Sequence, residues 1–248
     1  FQWLPPTSFI EPADQHSALK PDGFRFSDWK SIGADIHIRA ALQITGKTAR
    51  LEAYGYDLQA PKTLVAKEYV GESRDIKNLI RSFEDDLIQA LTGQAGIFHT
   101  KIVMSCDRTG KKEIYLMDFD GSDVKQLTHH QSISMSPAWH PAGQKIAYSL
   151  YTKHRGNIKN LDLYELDFAS NTIHLVSNKT GLNTGAAYSP DGKKIAMTLS
   201  FLGNPEIFLY DTSSENVTRL TNSVGFDVDP VFSPDGRSLA FVSARSGK

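Results

Sequence analysis

The chain has 248 residues, 40% of them hydrophobic and 22% charged, with a formal net charge of −1. That is the balance of a globular protein long enough for one large domain or two ordinary ones. It excludes a dedicated nucleic-acid surface, which needs an excess of Lys and Arg, and no apolar run approaches the ~20 residues that span a bilayer.

Residues 1–96 read as an incomplete α+β domain. FSDWKSIG (Phe26–Gly33) has the look of a short helix with Ser27 as its N-cap. Two strands, 34–45 and 48–58, follow around a Gly46-Lys47 turn, with Ile36, Ile38 and Ala40 and then Leu51, Ala53 and Tyr54 as the expected apolar face. TLVAKEYVG (Thr63–Gly71) is a third strand. The next segment is strongly helical. Ile76, Leu79, Ile80, Phe83, Leu87, Ile88 and Leu91 fall on one stripe, Ser73 is the expected N-cap and Gly93 the left-handed C-cap.

From Ile97 onward the helical pattern disappears and a repeat takes over. WHPAGQKIAY (Trp139–Tyr148), YSPDGKKIAM (Tyr188–Met197) and FSPDGRSLAF (Phe232–Phe241) align on Gly143, Gly192 and Gly236, at spacings of 49 and 44 residues. Each copy continues into a second strand, then a third such as LDLYELDFAS or EIFLYDTSS, then a short fourth ending in HLVS or RLT. A period of ~40–50 residues with four strands per unit is that of a β-propeller blade. The predicted fold is therefore an α+β domain followed, over 97–248, by a propeller portion of about three and a half blades. The second unit spans about 136–177 and the third about 185–221, the first lacks an innermost strand, and the fourth stops after SLAFVSARSGK.

The repeated phrase has turn chemistry. Proline presets φ, Asp bonds nearby amides, and Gly accepts positive φ. The aromatic before it (Trp139, Tyr188, Phe232) is expected to wedge between blades, and the Ala after it (Ala147, Ala196, Ala240) to permit close sheet packing. A sialidase-type Asp box is excluded because Lys193 and Arg237 stand where its glycine belongs. DFDGSD (Asp118–Asp123) fails the EF-hand pattern at its sixth and twelfth positions, Asp123 and His129. Neighbours on an extended strand point to opposite faces, so His129 and His130 converge poorly on a metal and read as solvated loop residues. Cys106, the only cysteine, forms no internal disulfide and reads as a structural thiol compatible with any compartment. HRGNIKN (His154–Asn160) reads as a polar loop between strands.

LTGQAGIFHTKIVMSCDR (Leu91–Arg108), FSDWKSIGAD, SPAWHPAGQKIAY, GNPEIFLYD and DVDPVFSPDGRSLAFVSARSG together resemble, in order and over nearly the whole chain, the TolB family of the Tol–Pal system. Against that family's pattern the chain is truncated at both ends, and Arg81 replaces a frequent His while Asp85 keeps an acidic position. FQWLPPTSFI carries no signal peptide. The resemblance implies a propeller of six blades in full and a periplasmic, non-enzymatic adaptor without cofactor, metal or catalytic residues. Its channel mouth would bind the lipoprotein Pal, with colicins competing, and its N-terminal region would communicate with TolA. By motif alignment the Pal-contacting positions are Met135, Leu182, Gly185, Val228 and Asp229. Two other classes compete. One is the gating propeller of a prolyl-oligopeptidase-like serine peptidase, whose G-x-S-x-G elbow is absent from this sequence. The other is a protein-binding propeller with an unspecified partner.

Overall fold

The structure is a computed structural model and describes residues 2–9, 19, 20, 24–154 and 157–246. Arg155 and Gly156 of the HRGNIKN loop therefore lie outside the described residues. Two compact units divide the chain, Phe1–Thr100 and Lys101–Lys248. No helix among the described residues is long and apolar enough to cross a membrane.

In the first unit a 3₁₀ turn (Pro6–Ser8) precedes α1 (Phe26–Ser31), which is followed by an antiparallel meander of β1 (Ile36–Thr45), β2 (Thr48–Asp57) and β3 (Lys62–Glu72), and then α2 (Ile76–Thr92). The two-residue Gly46-Lys47 link fixes the register, with Thr45 opposite Thr48 and Leu42 opposite Leu51. Helix α2 lays Leu79, Phe83 and Leu87 on Ala49, Leu51, Ala53, Val65 and Tyr69. The small residues let it approach closely: a Cβ on Gly55 would come 2.8 Å from Leu87 Cδ1.

Three local expectations are corrected. Ser27 lies inside α1, whose N-cap is Arg25, and Ser73 lies in a one-turn 3₁₀ segment before α2, whose N-cap is Asp75; neither helix start has a side-chain cap. Ile80 is exposed rather than part of the buried stripe. In β1 the buried residues are His37 and Arg39, while Ile38, Leu42 and Ile44 are exposed. The reason is lateral. The face carrying Ile38 and Leu42 is the one α2 covers, but α2 sits over β2 and β3 and leaves the edge strand bare. On the other face an aromatic shell buries the polar pair: the His37 ring is 4.1 Å from Trp29, Arg39 stacks 4.4 Å from Phe24, and Arg39 Nε donates to His37 Nε2 at 3.0 Å.

The glycines after α2 are a stereochemical requirement. Gly93 is left-handed (φ 72°) and its N–H bonds Gln89 O, as expected of a C-cap. Gly96 passes so near Asp85 that a Cβ would come 2.5 Å from Asp85 Cα. The Asp85 carboxylate then accepts the Phe98 N–H at 2.9 Å and meets His99 Nδ1 at 2.6 Å, so the segment after the helix folds back on it.

The second unit is a series of antiparallel sheets. β4 (Lys101–Cys106), β5 (Glu113–Asp118) and β6 (Lys125–Gln126) form the first. β7 (Ser134–Trp139), β8 (Lys145–Lys153), β9 (Lys159–Asp167) and β10 (Thr172–Ser177) form the second. β11 (Asn183–Tyr188), β12 (Lys194–Leu199), β13 (Glu206–Asp211) and β14 (Val217–Arg219) form the third, and β15 (Asp227–Phe232) with β16 (Leu239–Ser243) the fourth. Four-stranded up-and-down meanders at this period are propeller blades, and the series does not close into a ring. Apolar faces pack between successive sheets: Ile114 of the first with Ile146, Tyr148 and Leu166 of the second, then Ala147 and Leu163 with Ile195, Met197 and Phe208 of the third. Ala147 and Ala196 are fully buried as expected, whereas Ala240 on the last sheet is exposed.

The repeated phrase forms the hairpin between each blade's first two strands. In the third blade Ser189 Oγ donates to Asp191 Oδ1, Asp191 accepts the Lys193 N–H, and the Gly192 N–H returns to Ser189 O. Ser233, Asp235 and Gly236 repeat this in the fourth, and in the second His140 Nδ1 accepts the Ala142 N–H. Gly192 has a second role. A Cβ there would lie 2.3 Å from His140 Nε2, so the turn of one blade rests on that of the blade before. Tyr188 wedges between the same two blades, its hydroxyl donating to Glu165 Oε2 at 2.7 Å and its ring edge-on to His140.

Candidate functional site

Superposing the innermost strands by register gives three equivalent triplets: Ser134-Met135-Ser136, Asn183-Thr184-Gly185 and Asp227-Val228-Asp229. The first residue of each is completely buried. The third is left-handed in every case, with φ of 52° at Ser136, 62° at Gly185 and 53° at Asp229, and at each the pairing with the next strand slips in a bulge. A left-handed serine is uncommon; the recurrence of this conformation at one position, on Ser, Gly and Asp in turn, marks the bulge as a property of the repeat, and bulges re-aim the residues they carry.

The five residues predicted as partner contacts fall on three equivalent positions. Met135 and Val228 hold the second place of the triplet and are half-buried; Gly185 and Asp229 hold the third; Leu182, exposed, directly precedes its strand. Gly185 and Asp229 are brought together, since a Cβ on Gly185 would lie 3.1 Å from Asp229 Oδ1. Leu182 is tied to the end of β12: its N–H donates to Ser200 Oγ at 2.8 Å, and the Ser200 N–H donates back to Leu182 O. Met135 is linked onward less directly. Its cross-strand neighbour is Ser149, whose hydroxyl donates to Thr184 Oγ1 at 3.0 Å in the next blade. The repeat register adds residues that motif alignment missed. Ile133 and Phe226 stand where Leu182 does and are similarly exposed, and Thr184 matches Met135.

A row of hydroxyls ties each blade to the next innermost strand. Ser105 Oγ donates to Ser134 O, Ser149 Oγ to Asn183 O, and Thr198 Oγ1 accepts the Asp229 N–H at 3.2 Å. All three are the fifth residue of their strand in the register KIVMSC, KIAYSL, KIAMTL, which is the sequence signal that would have exposed them.

Buried carboxylates hold the loops that feed these strands. Glu113 opens β5 and Glu206 opens β13; both are essentially inaccessible. Glu113 accepts the Thr128 hydroxyl at 2.6 Å and the Gln131 N–H at 2.7 Å, and Thr128 Oγ1 itself accepts the Ile114 N–H. Glu206 is bonded likewise by Thr221 Oγ1 and the Ser223 N–H, with Thr221 accepting the Ile207 N–H and Arg219 3.2 Å from Oε1. In the second blade the carboxylate at this register position, the buried Asp162, is bonded by the Thr152 hydroxyl and Asn160 Nδ2 instead of by the entry loop. Amides hold that loop: Asn160 Oδ1 accepts the Gly181 N–H, and Asn183 Oδ1 the Ser177 hydroxyl and the Lys179 N–H. Burial pushes the Glu113 carboxyl upward, but the Thr128 hydroxyl and the N–H groups of Gln131 and His130 outweigh it and hold it below its ordinary range.

His130 departs from expectation. His129 is exposed, but the His130 ring is half-buried, stacks on Tyr148 and shares a 2.8 Å hydrogen bond with the Tyr148 hydroxyl. Burial lowers its pKa, against the attraction of Glu113. Cys106 ends β4, half-buried. Among the described residues no group of three or more His, Cys, Asp or Glu side chains is placed to hold a metal.

Comparison with known proteins agrees with this architecture. A curated Tol-Pal system protein TolB of Geobacter metallireducens is 37% identical over 130 residues, 52% of this chain and 30% of its own length. A TolB homolog of Chlorobaculum tepidum is 41% identical over 143 residues, 56% of this chain and 32% of its own. The chain thus matches about a third of the length of these relatives. The crystal structure of TolB from Acinetobacter baumannii superposes with a TM-score of 0.79 at 30% identity, over 91% of this chain and 56% of that one. The model of the TolB beta propeller domain matches residues 88–248, which takes in all four sheets of the second unit, and the chain belongs to that family.

Proposed function

We propose that this chain is part of a non-enzymatic, periplasmic adaptor of the Tol–Pal system. The mouth formed by the first ends of β7, β11 and β15 binds the lipoprotein Pal, a site for which colicins compete, and the N-terminal unit communicates with TolA. Through these contacts the protein serves outer-membrane integrity and cell division. The observation that carries the reading is the convergence of five motif-aligned residues on equivalent positions of successive innermost strands, beside an exposed Asp229 and a partly accessible Met135. Such a surface combines a carboxylate with adaptable apolar contacts. Occupancy of the mouth biases the N-terminal unit between states, a population shift between two sites.

Calorimetric titration of purified Pal into the protein tests it. Wild type is expected to bind, Asp229→Arg to weaken binding at least tenfold, about 1.4 kcal/mol, and Ser214→Arg, in the exposed β13–β14 turn, to bind as wild type. Absence of binding by wild type, or equal affinity of wild type and Asp229→Arg, removes the assignment.

A further inference from the structure

We propose that Glu206 and Thr221, and in the first blade Glu113 and Thr128, are positioning residues that hold the loops entering the innermost strands in a binding-ready geometry. The role rests on the partner-binding reading above. A carboxylate removed from water is costly unless its lone pairs are filled. Here the filling groups are chosen from the segment to be placed. Glu206 lies at the start of β13, yet it takes the N–H of Ser223 at 2.7 Å, six residues before Asp229. Glu113 takes the N–H of Gln131, four residues before Met135, and approaches Ser134 Oγ at 3.3 Å. The hydroxyl of Thr128 or Thr221 bridges each carboxylate to the backbone of its own third strand, at Ile114 N or Ile207 N, so the loop is referenced to a rigid strand. Around the second clamp Asn204 Nδ2 donates to Ser223 O and Gly225 O, and the Asp227 N–H to Pro205 O. An apolar side chain at these buried sites would fill the volume but leave the Gln131 and Ser223 N–H groups without their acceptor. A carboxylate that reaches into the next blade's entry loop gives that loop one conformation, which lowers the ordering cost of binding.

The test separates the hydroxyl from the shape of Thr221. Thr221→Val removes the bridge at constant volume, and Thr221→Ser keeps it. Hydrogen exchange on the full chain is expected to rise about tenfold over residues 222–229 in Thr221→Val and to stay near wild type in Thr221→Ser. Pal affinity is expected to fall about tenfold in the valine variant and to be retained by the serine one. Unchanged exchange in Thr221→Val overturns the proposal, as does raised exchange with unchanged affinity. Failure of wild type to bind Pal removes the adaptor reading instead, and the exchange comparison then decides the clamp by itself. If Thr221→Val does not fold, Thr128→Val reads the equivalent clamp over 129–136.

Discussion

Gly185 and Asp229 face each other across the boundary between the third and fourth blades, with a Cβ on Gly185 falling 3.1 Å from Asp229 Oδ1 and 3.2 Å from the buried Thr198 hydroxyl. Both residues are left-handed. Gly185→Ala therefore adds a methyl where both the backbone and the space resist it. Its expected cost is about 1–3 kcal/mol, read by chemical denaturation; on the proposed adaptor role, Pal binding should also weaken because Asp229 must shift.

The two hairpin glycines Gly192 and Gly143 make a matched pair. Their φ values are 72° and 69°, but only Gly192 has a neighbour, His140, within reach of a Cβ. Gly143→Ala is expected to cost about 1 kcal/mol from backbone strain alone. Gly192→Ala should cost about 2–4 kcal/mol, because the His140 ring is held by the Ala142 N–H and by Tyr188. The difference between their unfolding free energies measures turn-on-turn packing between blades; equal losses would refute it.

Gly96→Ala tests the fold-back after α2. Its methyl would come 2.5 Å from Asp85 Cα, a backbone atom that cannot rotate away. The Phe98 N–H and His99 would lose the Asp85 carboxylate. We expect a loss of about 2–4 kcal/mol and new proteolytic cleavage between residues 93 and 100, with α2 intact by circular dichroism.

Acid stability follows from Glu113 and His130. The folded Glu113 carboxyl titrates below its unfolded value of about 4.3. Its stabilisation is thus complete above that pH and is lost as pH falls through the lower folded value. The lowered His130 pKa acts in the same sense at higher pH: its share is present above the unfolded value of about 6.5 and is lost as pH falls through the folded one. Glu113→Gln should destabilise by about 1–3 kcal/mol at pH 7, and its deficit against wild type should shrink below about pH 4. A deficit independent of pH would contradict the assignment.

Much of this protein is written locally. The repeat at spacings of 49 and 44, the hairpin chemistry of Ser189-Pro190-Asp191-Gly192, the Gly93 helix stop and the Gly46-Lys47 hairpin depend on neighbours in sequence, and each appears where the residues put it. What the chain does not spell out is which neighbour wins a face. Strand β1 alternates correctly, yet its polar His37 and Arg39 are the buried ones, because burial was decided by where α2 and the Trp29 shell come to rest. His130 reads as a loop residue until Tyr148 arrives from another strand. Glu113 and Glu206 look like ordinary strand-opening acids, since nothing local shows that Gln131 and Ser223 will turn their N–H groups toward them. The period, the turns and the blade grammar are legible along the chain, because they follow from backbone preferences of adjacent residues. The left-handed bulges, the meeting of Gly185 with Asp229 and the carboxylate clamps were settled by packing in three dimensions, because each depends on contacts between residues well separated in the chain.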